Sequence, residues 1–244
     1  MLNRAWRAKM FNKATSNSKD INHPSFHQVL EIAEELVDNN QVIQIDLLYK
    51  LAKRRLKIES KGLYTIINKL IQRKIIVEGT KLLRHEVLNN SYREEIFQYV
   101  KNYPGVHFSI IKEKVMADGS TGQFVWHIEV LLKFEFIKKL EIKNYSLFLP
   151  YEMDEELGTY YFLLRDRLNR RILKHIKNGE AYKQSDIYNS LDDSKGTVIY
   201  HIQTLEEYGI VDVFDPEETR GKEVIVNSEK RELLLKIISN IEAQ

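Results

Sequence analysis

Apolar positions along this chain follow two periods in alternation, and the alternation itself recurs. Toward the C-terminal end, Ile172, Leu173 and Ile176 fall on one face of a helix, which Asn178-Gly179 would close. Tyr182–Leu191 predicts a short second helix with Ile187 and Leu191 facing inward. The polar turn Asp192-Asp193-Ser194 follows, with side-chain oxygens suited to cap a third helix. In that helix Val198, Ile202 and Leu205 recur at i, i+4 and i+7 as a buried stripe, and Gly209 ends it. The period then changes to two, where IVDVF and EVIVN are β-rich runs around the turn-forming DPEETRGK. The predicted unit is three helices followed by a two-stranded hairpin.

Self-comparison finds the unit again. STGQFVWHIEVL (120–131) and SKGTVIYHIQTL (194–205) match at a constant offset of 74, which pairs Ser120 with Ser194, Gly122 with Gly196 and Leu131 with Leu205. This second unit predicts helices over 92–102, 109–116 and 120–134, then a hairpin of FIKKLEI and YSLFLP around Lys143-Asn144. A fainter copy, SKGLYTIINKLIQRKIIV (60–77), aligns Leu70 with Leu205 and Ile75 with Ile210 but leaves the SKG triplets one position out of step. That predicts a first copy one residue shorter in its turn or first helical turn. Its helices would cover 25–38, 45–54 and 61–73, with a wing of KIIVEG and KLLRHEVL around Gly79-Thr80. MDEELGTYYFLLRDRL reads as one long helix leading into the last unit. EKRELLLKIISNIEA sets Leu234, Ile237, Ile238 and Ile241 on one face, a stripe open either to its own domain or to a homodimer. The expected fold is therefore mainly α with small β hairpins, as three consecutive winged-helix (wHTH) domains. The predicted boundaries are a basic arm over 1–22, domains over 23–88 and 89–150, and a linker helix, third domain and C-terminal helix over 151–244.

Composition narrows the function classes. No apolar run approaches the roughly 20 residues of a membrane span, and the N-terminus lacks the apolar core of a signal peptide. The expectation is a soluble, cytoplasmic protein with no membrane association. With no cysteine, disulfides, thiolate metal sites and cysteine nucleophiles are ruled out. The overall charge of +2 averages a net +7 over residues 1–87, −3 over 88–157 and −2 over 158–244, so a polyanion would feel mainly the first third.

The phrases YPGVHFSIIKEKV, STGQFVWHIEVL and SKGTVIYHIQTLEEYGIV resemble those of archaeal tandem winged helix-turn-helix transcriptional regulators. In that family N-P-G-x-H-F precedes S-x-G-T-x-x-Y-H-L-x-x-L-x-x-x-G-L-[IV]. Here Asn102-Tyr103-Pro104-Gly105-Val106-His107-Phe108 carries an inserted tyrosine, and Ser194 through Val211 match the second phrase nearly throughout. The resemblance covers roughly 90–240. It implies binding of double-stranded DNA, with the third helix of a domain in the major groove, and a nucleoid-associated location.

Electrostatics singles out the first domain. Lys53, Arg54, Arg55 and Lys57 fall at the end of its second helix and in the turn; Lys61, Lys69, Arg73 and Lys74 follow on the third, and Lys81 and Arg84 on the wing. Arg4, Arg7, Lys9 and Lys13 form an arm suited to tracking a groove. In the third domain Lys195, Thr197, Tyr200 and Thr204 are placed outward with Gln203 nearby, and Arg220 and Lys222 lie on the wing, against Glu206, Glu207, Asp215, Glu217 and Glu218. The second domain offers Gln123, Trp126, Glu129 and Lys133, a face better suited to a protein partner than to DNA. Nothing points to catalysis or a cofactor. His23 and His27 are four apart, but Pro24 is expected to break the helix that would align them, and His127 and His201 occupy equivalent framework positions. The rival to a DNA-binding regulator is a non-enzymatic scaffold of winged-helix modules, of the kind found in RNA polymerase or ESCRT-II-like assemblies.

Overall fold

The computed structural model describes residues 23–176, 180–216 and 221–243. The N-terminal arm, Asn178-Gly179 and Arg220 with Glu217 and Glu218 lie outside them. The described chain is mainly helical with small antiparallel sheets. Its described residues divide into two compact units, one of 23–103, 107–139 and 150–152, the other of 104–106, 140–149 and the described residues from 153 to 243.

In the first unit α1 (Pro24–Asp38), α2 (Ile45–Arg55) and α3 (Ser60–Gln72) enclose a core that includes Val29, Ile43, Leu48, Leu63, Leu70 and Ile76. Pro24 does not break α1. It sits at the first helical position, where its missing N–H costs nothing, and His23 caps the helix by accepting from the Ser25 amide at 3.3 Å. The expected wing is reduced to a single antiparallel bridge between Ile76 and Leu83. Ile43 exchanges backbone hydrogen bonds with Gly79 and Thr80, both at 2.8 Å, and KLLRHEVL turns at once into a 3-10 helix, Arg84–Asn89. Then come α4 (Ser91–Asn102), α5 (Phe108–Val115) and α6 (Thr121–Lys133), with α5 and α6 both packed on α4. Strands β1 (Val106–His107), β2 (Ile137–Ile142) and β3 (Tyr145–Pro150) form a sheet in the order β1-β3-β2, most of whose residues (Val106, 140–142 and 145–149) count with the second unit.

In the second unit the run expected as one linker helix is two, α7 (Glu155–Arg165) and α8 (Arg167–His175). Asp166 makes the break. Its carboxylate accepts from the amides of Leu168 (2.7 Å) and Asn169 (3.2 Å), starting α8. The carbonyls that α7 leaves open are taken by side chains of α8: Asn169 donates to Leu163 O, and Arg170 to Leu164 O and Arg165 O, all at 2.7 Å. After β4 (Tyr182–Lys183) come α9 (Gln184–Ser190), α10 (Lys195–Glu207), β5 (Val211–Phe214), β6 (Glu223–Val226) and α11 (Arg231–Glu242). The sheet order β4-β6-β5 repeats that of β1-β3-β2, and β5 pairs β6 with Val213 opposite Val224. Leu234, Ile237 and Ile238 of α11 are buried in this unit's own core, with Ile241 against them, so of the two partners open to this stripe it is its own unit that covers it.

Candidate nucleic-acid interface

Helices α3, α6 and α10 are each 13 residues long and are built to one plan. Each starts from an extended residue: Glu59 (φ −61°, ψ 147°), Ser120 (φ −65°, ψ 148°) and Ser194 (φ −61°, ψ 144°). The two serines cap by accepting from the amides of Gln123 and Thr197, both at 3.2 Å, whereas Glu59 makes no side-chain cap. Each helix ends on a left-handed residue, Lys74 (φ 54°), Glu135 (φ 56°) or Gly209 (φ 62°). The closing amides also correspond, with Ile75 to Leu70 O, Phe136 to Leu131 O and Ile210 to Leu205 O at 2.8–2.9 Å. This paired closure is a Schellman motif, three times over. The first copy is therefore not a residue short. Ser60 sits one place inside its helix, and Glu59 holds the capping position of Ser120 and Ser194.

The common frame fixes which side chains face out. Leu63, Phe124 and Val198 are buried at one position, as are Ile67, Ile128 and Ile202 at another. Thr65, Trp126 and Tyr200 are exposed at one outward position, and Asn68, Glu129 and Gln203 at another. Trp126 and Tyr200 are 51% and 56% exposed, unusual for large aromatics. Thr204, expected outward, is buried; its hydroxyl accepts from Lys143 Nζ at 3.1 Å. Lys143, in the β2–β3 turn, also lies 5.1 Å from the Tyr200 ring centre and 3.4 Å from the Glu207 carboxylate. Burial works against its charge, but Glu207 and Tyr200 outweigh that and raise its pKa. Sequence reasoning missed Lys143 because a turn lysine carries no sign of the helix it reaches.

The basic residues of the first unit separate into engaged and open groups. Lys53, Arg54, Arg55 and Lys57 are all exposed on the end of α2 and the turn before α3. Arg55 is paired with Glu35, and Lys53 Nζ donates to Ile58 O at 3.3 Å. The side chains of Arg54, Lys57 and Lys61 make no hydrogen bond or ion pair with any described residue. Lys69 lies 5.9 Å from the Phe26 ring centre, Arg73 is half-buried after α3, and Lys81 donates to Asn40 Oδ1 at 3.0 Å. Lys74 pairs with Glu135 at 3.5 Å. Arg84 is not on a wing. It begins the 3-10 helix, donates to Phe134 O and Glu135 O, and stacks 4.6 Å from the Phe136 ring centre. Burial lowers its pKa, with Glu135 and Glu152 opposing.

In the second unit Lys195, Thr197, Tyr200, Gln203 and Lys222 are exposed. Lys195 Nζ sits 4.9 Å from the Tyr188 ring centre, and Thr197 Oγ1 is 2.8 Å from Ser194 Oγ. Where the first unit has a basic turn, this one has Asp192 and Asp193, the latter paired with Arg171 at 2.6 Å. Beneath Trp126, Arg93 is buried, donates to Val87 O and stacks 5.4 Å from the indole centre. Among the described residues, no helix is long and apolar enough to cross a membrane, and no three His, Cys, Asp or Glu side chains are grouped to hold a metal.

Comparison with known proteins agrees with the resemblance read from the sequence. A family model described as an N-terminal HTH domain matches residues 90–156, which hold α4, α5, α6 and their hairpin. An uncharacterized HTH-type transcriptional regulator of the archaeon Methanocaldococcus jannaschii is 30% identical over 138 residues, 56% of this chain. The match spans 34% of that relative's length.

Proposed function

We propose that this chain is a DNA-binding transcriptional regulator made of three consecutive winged-helix domains over 23–88, 89–150 and 151–244, with α3, α6 and α10 as their third helices. It acts without catalysis, and binding DNA places it with the nucleoid in the cytoplasm. The observation that carries this reading is the shared frame of those three helices: one extended starting residue, one closure and one outward row, each preceded by a shorter helix and a tight turn. That is the arrangement by which helix-turn-helix proteins set a helix into the major groove. Both comparisons support it over a protein scaffold. The open cations Arg54, Lys57 and Lys61 make the first domain the source of phosphate contacts, because cations already paired within the protein gain little from a phosphate. Trp126 and Glu129 leave the second domain the poorest reader and the one suited to a protein partner.

The test is binding of the full chain to random-sequence duplex DNA at two salt concentrations. A regulator binds at low salt and weakens steeply as counterions compete for the phosphates. No binding at either concentration would overturn the proposal.

A further inference from the structure

The first unit contains a cavity of about 420 Å³. Leu88, Phe97, Phe136 and Pro150 supply its apolar lining, while Arg84, Lys101, Glu135 and Glu152 bring charge to it. Phe97 and Phe136 meet edge to face, with ring centres 5.6 Å apart. Arg84 stacks on Phe136 and is held by two backbone carbonyls. Glu135 is paired with Lys74 at 3.5 Å, and its charge raises the pKa of the neighbouring Tyr151 hydroxyl. The walls come from four separate stretches of chain: the 3-10 helix, α4, the residues closing α6, and the segment after β3. Tyr151 fixes that last stretch by donating its amide to Phe136 O at 3.1 Å.

We propose that this cavity is a binding site for a small, uncharged aromatic molecule. Its volume lies in the range of ligand pockets, enough for roughly 15–20 non-hydrogen atoms. Its aromatic and aliphatic lining residues, Leu88, Phe97, Phe136 and Pro150, are only half-covered, and a ligand's apolar surface would remove that carbon from water. The charge of the lining selects against ions. Arg84 and Lys101 are balanced by Glu135 and Glu152, so an anion or a cation gains one partner and faces a like charge. Two of these ionic groups, Arg84 and Glu135, are already engaged. A planar neutral ligand can stack on Phe97 and Phe136 and keep its polar atoms at the charged rim.

The probe is 6-propionyl-2-dimethylaminonaphthalene, a neutral dye of about 17 non-hydrogen atoms, well within that range, titrated into the full chain and followed by its emission. The expected result is saturable binding of one dye per chain with a blue shift. Leu88→Trp, which fills the cavity, should weaken binding at least ten-fold while the melting temperature holds within a few degrees. Should that variant unfold, amide shifts in the unaltered protein decide instead: saturating dye should move residues around Phe97, Phe136 and Tyr151 and leave those of α11 in place. Absence of saturation, undiminished binding to folded Leu88→Trp, amide shifts elsewhere, or tighter binding of an anionic naphthalene sulfonate would each overturn the proposal. No arm uses DNA, so the result stands apart from the function proposed above.

Discussion

Glu59 occupies the place held by Ser120 and Ser194, and the exchange is costly for α3. A serine there accepts a helix amide that otherwise stays open, whereas Glu59 has the right backbone and no side-chain bond. Glu59→Ser should therefore stabilise the protein by about 0.5–1 kcal/mol, read as a raised midpoint in urea. A second contrast between repeats involves histidine. His201 Nδ1 is 2.8 Å from Asn169 Oδ1, while the buried His127 Nδ1 has no partner among the described residues. Burial, and then the nearby Arg93, lower the His127 pKa from its ordinary value. Its folded-state pKa thus lies below the unfolded one, so the unfolded chain takes up the proton first. The stability tied to neutral His127 is present above the ordinary histidine pKa of about 6.5 and is lost as pH falls toward the depressed folded value. His127→Phe, which keeps the ring contacts with Tyr92 and Trp126, should flatten the fall in melting temperature between pH 7 and pH 5. An unchanged slope would mean that another group titrates there.

At the scale of the element, α11 divides cleanly. Ile237 is 1% exposed within the core of its unit, whereas Leu233 is 41% exposed on the opposite side. Ile237→Ala should cost about 2–5 kcal/mol by leaving a cavity, and Leu233→Ala should stay within about 0.5 kcal/mol, both by thermal unfolding. Similar effects at the two positions would mean that the outer face is also covered. Elements such as this one were legible because their signals are local. The apolar stripe, Ser120, Ser194, Gly209 and the Lys143-Asn144 turn locate helix ends and a hairpin within a residue or two. What the sequence concealed depends on partners far along the chain. Asp166 sits in a run with unbroken helical character, and only the capture of three α7 carbonyls by Asn169 and Arg170 makes a break cheap there. Arg84 reads as one more surface cation until Phe134 O, 50 residues away, accepts from it. Thr204 reads as outward until Lys143, 61 residues away, covers it. The SKG triplet misled for a different reason. Matching letters put Ser60 at a cap, while the backbone closure at Leu70 and Ile75 sets the true register one residue away.

For the whole molecule, the distribution of charge bears on which of the proposed domains would dominate the proposed binding of DNA. Residues 1–87 hold a net +7 and the remaining two thirds are net negative, so under the proposed function a duplex is drawn toward the first of the three proposed domains. Proximity is not contact, and the difference between Arg54 and Arg55 makes the distinction testable. Arg55 is engaged by Glu35, whereas Arg54 and Lys57 have no side-chain partner among the described residues and flank the turn into α3. Arg54→Glu with Lys57→Glu should leave two phosphates without a cation. The slope of log affinity against log salt should then fall by about 0.9 for each phosphate no longer neutralised. Affinity should drop by a similar factor for every duplex sequence, since phosphates carry no sequence information. Lys195→Glu should cost less, because its ammonium already lies against Tyr188 and the preceding turn carries Asp192 and Asp193. Fluorescence anisotropy on one duplex at several salt concentrations measures both quantities. A larger drop in affinity from Lys195→Glu, or a slope untouched by the double variant, would move the dominant interface to the third domain, despite its acidic turn.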